Sequence, residues 1–275
     1  SNINALGIIS ELSKIPIHDL GTTTFRLPYT PVSFGALAGR HVKEFFDVER
    51  TTPMHNWHLD NGAKFEDVGQ WKRAWYYPQN GENMFEAVNR EVKATRDGIG
   101  ILDASTLGKI DIKGQDANEF LNRVYTNSWS KLKIGKCRYG IMLGDDGMVI
   151  DDGVTSRLAD NHYIMTTTTG NAASVMSKLE DWLQTEWPEL KVYLTSVTEQ
   201  FGTISINGPF AKNLMIKLFP NVDFSNENFS HMSFKNADID NIKCRVMRIS
   251  FTGEMCYEIN VPSSYAESLW AKCFE

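Results

Sequence analysis

The sequence predicts an α+β fold of mostly antiparallel sheets with packed helices. Three observations carry this. Helical and strand periodicities alternate along the chain. Several strand pairs are joined by turns of a few residues, as at Gly144-Asp145-Asp146-Gly147 and Thr252-Gly253-Glu254. No Gly-x-Gly-x-x-Gly opens a helix after a strand, as a doubly wound nucleotide-binding sheet requires. The 275 residues, 42% hydrophobic and 23% charged, are ordinary for a globular protein with one large domain or two smaller ones.

Residues 1–50 read differently from the rest. Asn4 to Ile15 has helical spacing through Leu6, Ile8, Ile9 and Leu12. LGTTTFRLPYTP reads as an extended, proline-broken segment, and GALAGRHVKEFFDV as a second helix with Leu37, Val42, Phe45 and Phe46 on one side. These pieces are too small to make a core, so 1–50 is expected to be a strap or the end of a preceding domain, and 51–275 the main domain. Residues 51–83 crowd three Trp and two Tyr with little periodicity, which predicts a long aromatic loop lining a pocket or an interface. A helix follows over Met84 to Ile99 with a Phe85, Val88 and Val92 stripe. GILDASTLGKIDIKG turns from it into a strand, and Gln115 to Tyr125 is a helix packing through Phe120, Leu121 and Val124. CRYGIMLGDDGMVIDDGVTSRL reads as a hairpin and HYIMTTTT as the next strand. Asn171 is placed to cap a helix whose stripe is Ala172, Val175, Met176, Leu179, Trp182 and Leu183. KVYLTSV and FGTISI are strands. Pro209 suits the first turn of a helix burying Leu214, Met215 and Leu218. Residues 220–241 read as polar loop, CRVMRISF and MCYEINVP as a hairpin, and Ser263 to Phe274 as the last helix.

Alternation places Asp152 in line with Met148, Ile150 and Val154, where a carboxylate is normally avoided unless it is paired or kept for chemistry. Glu258 shares a strand face with Cys256 and Asn260; on residue type alone it reads as a solvated acid. His55 and His58 have an i, i+3 spacing, but no Cys or carboxylate at ligand spacing completes a metal site, so no metal is expected. Cys137, Cys244, Cys256 and Cys273 form no CxxC pair and are expected to be reduced thiols in a cytoplasmic protein. The net charge of −6, without a dominant basic block, points away from nucleic acid. No stretch approaches ~18 apolar residues, so no membrane span is expected. The N-terminus lacks the basic and apolar regions of a secretory signal.

The runs TPMHNWHLDNGAKFEDVGQWKRAWYYP, GILDASTLGKIDIKG, CRYGIMLGDDGMVIDDGVTSRL, MTTTTGNAA, WLQTEWPELKVYLTSVTEQ and RISFTGEMCYEINVP closely resemble the alpha-subunit family of heterotetrameric sarcosine oxidase. More distantly they are similar to the aminomethyltransferase (T-protein) of the glycine cleavage system and to the folate domain of dimethylglycine dehydrogenase. The resemblance implies a folate-binding aminomethyltransferase-like domain at 51–275, incomplete at its C-terminus and without the family's β-rich closing domain. It implies a preceding NAD-binding domain, beta, gamma and delta subunits as partners, and FAD and FMN in the complete enzyme but not on this segment. The implied reaction passes the one-carbon product of sarcosine oxidation to tetrahydrofolate, giving 5,10-methylenetetrahydrofolate. The acidic residue beside folate falls on Asp152, whose carboxylate would stabilise a cation and relay protons. The pterin-holding acid falls on Glu258, an acceptor for a ring N–H and an amino group side by side. Phe251 stands where the transferases carry Tyr; it can stack on a ring but offers no hydroxyl. The rival readings are a stand-alone aminomethyltransferase fed by a lipoyl carrier and a non-catalytic scaffold. An exposed apolar surface is expected where further parts pack, and with it self-association.

Overall fold

The computed structural model describes residues 3–20 and 49–275. Contacts divide the chain into two units, 1–48 and 49–275. The first contains helix α1 (Ile3–Ser13). The extended segment and second helix expected after it lie outside the described residues.

The second unit is built on three sheets. The smallest comprises β1 (Arg50–Thr51), β2 (Lys64–Val68) and β3 (Trp71–Tyr76), with β3 between the other two. A one-and-a-half-turn helix, α2 (His55–Asp60), leads into it. The aromatic segment expected to be a loop is therefore ordered secondary structure. Its strands are short and mix polar and apolar residues on both faces, so no period stands out.

Helix α3 (Met84–Asp97) starts at a capping box: the Asn83 side chain accepts from the Glu86 N–H, and the Glu86 carboxylate accepts from the Asn83 N–H. It buries Ala87, while Phe85 and Val92 of the expected stripe face solvent. The single strand expected after it is two strands in different sheets, β4 (Gly100–Asp103) and β5 (Gly108–Lys113). The break is a turn in which Leu107 N–H returns to Ala104 C=O.

One five-stranded sheet has the order β6 (Cys137–Leu143), β7 (Val149–Ala159), β8 (His162–Thr167), β5, β9 (Tyr193–Ser196), all antiparallel. We call it the insert sheet. Its outer face carries Ile110, Ile112, Tyr163 and Met165 against helices α4 (Ala117–Val124) and α5 (Ala172–Thr185), which bury Phe120, Leu121, Val175 and Leu179. Asn171 does not cap α5. Its amide donates instead to Ile150 C=O and the Asp151 carboxylate. Gly147 turns the β6–β7 hairpin at φ +77°. At Gly153 a Cβ would lie 1.9 Å from Thr166 C=O, so only glycine lets β7 run so close to β8.

The other five-stranded sheet, here the host sheet, has the order β11 (Ser233–Ile239), β12 (Ile242–Arg248), β13 (Cys256–Pro262), β10 (Phe201–Asn207), β4. Its outer face carries Ile204, Ile206, Tyr257, Ile259 and Val261 against helices α6 (Ala211–Leu218) and α7 (Ala266–Lys272). Pro209 stands two residues before α6, not in its first turn. Strand β11 corrects the expected polar loop at 220–241. Because Lys235, Asn236 and Asp238 interrupt its apolar residues, the alternation is masked. The chain leaves the host sheet after β4, builds the insert sheet, and returns as β10, antiparallel to β4 with Ile204 opposite Asp103.

Candidate active site between the two sheets

With helices on both outer faces, the inner faces of the two sheets meet. Phe234, Met247 and Ile249 pack on Cys137 and Ile164, and a bridge from Lys136 to Ser233 stitches the edges together. Register and alternation then say which polar residues share this layer. On β13, Cys256, Glu258 and Asn260 point away from the Tyr257 face, and Ser205 and Met247 lie opposite Glu258 on its neighbours. On the insert sheet, Ser156 Oγ meets Cys137 Sγ at 3.1 Å across the β6–β7 pair, so Asp152, Val154 and Tyr139 share the same inner face. Lys109, opposite Thr166, belongs to that face as well. Asp152 and Glu258 therefore stand on the facing walls of one layer.

The two acids differ in setting. Asp152 is half-buried and accepts from the Tyr139 hydroxyl at 2.6 Å, a bond that pushes the Tyr139 phenol above its ordinary range. The fully enclosed acid of the pair is its neighbour Asp151, on the opposite face, which accepts from Thr168 N–H and Asn171. Burial raises the Asp151 carboxyl. Glu258 is only 9% exposed and has no side-chain hydrogen-bond partner among the described residues. Burial pushes its carboxyl up to about 7, opposed by the Lys109 charge. Phe251 is 96% exposed in the β12–β13 connection and is not brought to the layer. That connection is tied down beside it: Thr252 Oγ1 donates to Asn207, and Arg96 donates to Glu254 at 2.9 Å.

Sequence reasoning missed Lys109. Its side chain is 1% exposed, and its ammonium donates to Ser105 C=O at 3.0 Å and Leu107 C=O at 3.1 Å. Burial pulls it down to about 8, against the pull of Asp103, Glu258 and Glu199. A lysine in line with Asp111 on a strand whose other face is Ile110 and Ile112 was the available signal. His58 also proves structural. A carboxylate only accepts, so His58 Nε2–H donates to Asp103 at 3.0 Å and Tyr77 O–H donates to Nδ1 at 2.6 Å. Trp57 and Trp270 pack edge-on around the ring. Burial alone would raise Asp103, but the hydrogen bonds from His58 and Ser105 outweigh it and hold the acid below its usual range. No cluster of three or more His, Cys, Asp or Glu side chains able to hold a metal occurs among the described residues. Cys137, Cys244, Cys256 and Cys273 are buried and unpaired.

A model of the GCVT N-terminal domain family matches residues 54–275. The chain belongs to this family. A second model, the sarcosine oxidase A3 domain, matches residues 1–40. Around the GCVT domain, sequence likeness extends along nearly the whole chain. Sarcosine oxidase subunit alpha of Corynebacterium sp. (strain P-1) is 56% identical over 272 residues, covering 98% of this chain. The same subunit from Rhizobium meliloti (strain 1021) is 45% identical over the same span. The chain spans 28% of the length of these curated relatives. An aminomethyltransferase from Chloroherpeton thalassium is 29% identical over 82% of this chain and 58% of that protein. The GCVT fold also matches the crystal structure of glycine cleavage system aminomethyltransferase T from Bartonella henselae, with a TM-score of 0.70 and 25% identity over 82% of this chain and 57% of that one. The α+β, mostly antiparallel fold expected from the sequence is thus that of the aminomethyltransferase. No helix among the described residues is long and apolar enough to cross a membrane.

Proposed function

We propose that residues 49–275 are the folate-binding part of a sarcosine oxidase alpha subunit. In this reading the domain receives the one-carbon unit released when sarcosine is demethylated and delivers it to tetrahydrofolate as 5,10-methylenetetrahydrofolate. The 45–56% identity to alpha subunits across 98% of the chain favours this over a stand-alone aminomethyltransferase. The observation that carries it is Glu258: a buried carboxylate with both oxygens free, on the inner face of the host sheet as Asp152 is on the inner face of the insert sheet. A pterin offers the matching edge, a ring N–H beside an amino group, and two parallel hydrogen bonds to a carboxylate fix both its position and its orientation.

The residues of this chain have separable tasks. Glu258 binds and orients the pterin. Asp152, oriented by the Tyr139 hydroxyl, holds negative charge beside the reacting amines and takes or returns a proton. Met247, Ile164 and Val154 keep water from the layer. Phe251, on its exposed connection away from the layer, is given no part in holding the pterin in this reading. Flavin and nicotinamide chemistry, with FAD, FMN and NAD, is assigned to other parts of the assembly, and the beta, gamma and delta subunits are the proposed partners. A cytoplasmic location accompanies this reading.

Calorimetry with a reduced folate tests it. Glu258→Ala is expected to weaken binding at least about tenfold, or about 1.4 kcal/mol. Asp152→Asn is expected to spare most of the binding and to depress one-carbon transfer in the assembled enzyme. Equal binding by the parent chain and Glu258→Ala overturns the anchor.

A further inference from the structure

We propose that Lys109 is the counter-charge that keeps Glu258 ionised for ligand binding, held in place by the Asp103–Ser105 turn; this rests on the folate reading above. The geometry is that of a fixed charge rather than an ion pair. Lys109 rises from β5 on one wall of the layer and Glu258 from β13 on the other. Among the described residues no carboxylate is bonded to the lysine. Two of its donors are spent on the carbonyls of Ser105 and Leu107, so its position is set by backbone. That backbone is itself pinned: Asp103 accepts from Ser105 N–H at 3.0 Å, Thr203 N–H donates to Ser105 Oγ at 2.9 Å, and His58 locks Asp103. Glu258 is left with both oxygens free for a ligand, and the lysine's anchor reaches its strand: Thr203, whose N–H donates to Ser105 Oγ, donates its hydroxyl to Asn260 at 3.0 Å, two residues along β13 from Glu258, so lysine and acid flank the same β10–β13 pair.

The other groups facing Glu258 do not substitute for Lys109. Ser205 and Asn260, from β10 and β13, are neutral, and Met247 on β12 is apolar. Burial pushes the Cys137 thiol on β6 up to about 11 and the Cys256 thiol on β13 up to about 12, so both stay uncharged near neutrality. Arg245 on β12, opposite Asn260, extends between the Phe201 and Phe234 rings, and the anion acting on it is Asp111. Asp111 accepts from His162 at 2.5 Å and from Lys113 at 2.8 Å. Asp152 is bonded to Tyr139. Among the described residues, the cation acting on Glu258 is Lys109.

A ligand that presents two N–H donors needs the carboxylate form, because a protonated acid turns one acceptor into a donor. Binding therefore strengthens with rising pH through the Glu258 midpoint, and removal of Lys109 moves that midpoint upward. The test uses the whole chain and 5-formyltetrahydrofolate, with Lys109→Met, Lys109→Gln and Lys109→Arg. Infrared difference spectra follow the protonated carboxyl of ligand-free protein, assigned by its loss in Glu258→Gln, and calorimetry follows affinity from about pH 5.5 to about 8.5. In Lys109→Met and Lys109→Gln the midpoint is expected to rise by about one unit or more. Affinity near neutrality falls about tenfold in both and recovers at higher pH. Lys109→Arg restores the parent profile. An unchanged Glu258 midpoint in the neutral variants overturns the proposal, as does an affinity loss equal at every pH. In the parent chain alone, affinity that does not rise with pH also overturns it. If the parent binds no folate while the midpoint still moves, the folate reading falls and the Lys109–Glu258 coupling stands.

Discussion

At the scale of single residues, the layer between the sheets gives stability a particular pH profile. Glu258, raised from 4.5 to about 7, binds its proton more tightly folded than unfolded, so stability falls as pH rises through that window. Lys109, lowered from 10.5 to about 8, releases its proton more readily when folded, so stability climbs again above about 8. Thermal midpoints are expected to pass through a shallow minimum between about 7 and 8. Glu258→Gln removes the lower limb, an effect of up to about 3 kcal/mol; identical profiles for parent and variant would contradict it. The His58–Asp103 pair makes a second demand. His58→Ala takes one hydrogen-bond donor from a buried carboxylate that keeps Ser105 N–H, and a loss of about 1.5–3 kcal/mol is expected in denaturant titrations. Asp103, lowered when folded, contributes stability above its unfolded value that is lost as the medium is acidified through its folded value.

At the scale of elements, β7 depends on Gly153. Gly153→Val sets a side chain against Thr166 C=O and is expected to lower the melting temperature, with faster amide exchange along the β7–β8 pair. Asp152 lies next to it in sequence, so on the folate reading one-carbon transfer by the assembled enzyme is expected to fall in step. Strands with a clean period were legible in the sequence: the β6–β7 hairpin and the alternation of Tyr257, Ile259 and Val261 against Cys256, Glu258 and Asn260 are both present. That alternation placed Glu258 on its wall. What was hidden has physical reasons. β11 carries lysine and acid among its apolar residues, and β4 and β5 run together because no Gly or Pro marks the turn at Ala104–Leu107. The seclusion of Asp152 was overread: a bulge at the start of β7 breaks the alternation, so Ile150 packs with the outer core and Met148, before the strand, is largely exposed. Lys109 escaped notice because its partners are backbone carbonyls, which leave no trace in residue type.

At the scale of the whole molecule, Phe85 is 73% exposed and Val92 48%, and seven residues apart they share a face of α3. Concentration-dependent association in sedimentation experiments is expected, weakened by Phe85→Glu together with Val92→Glu; a chain monomeric at every concentration would remove the case for an adhesive face. The order of the sheets has a different consequence. Residues 104–200 depart from the host at Asp103 and rejoin it at a strand paired with the one they left. A guest segment whose two ends emerge side by side can be spliced in or out without cutting any of the β10–β13 ladder. Glu258 belongs to the host and Asp152 to the guest. Whatever chemistry the pair performs arises at the graft, and each half on its own keeps a hydrophobic core but only one of the two acids.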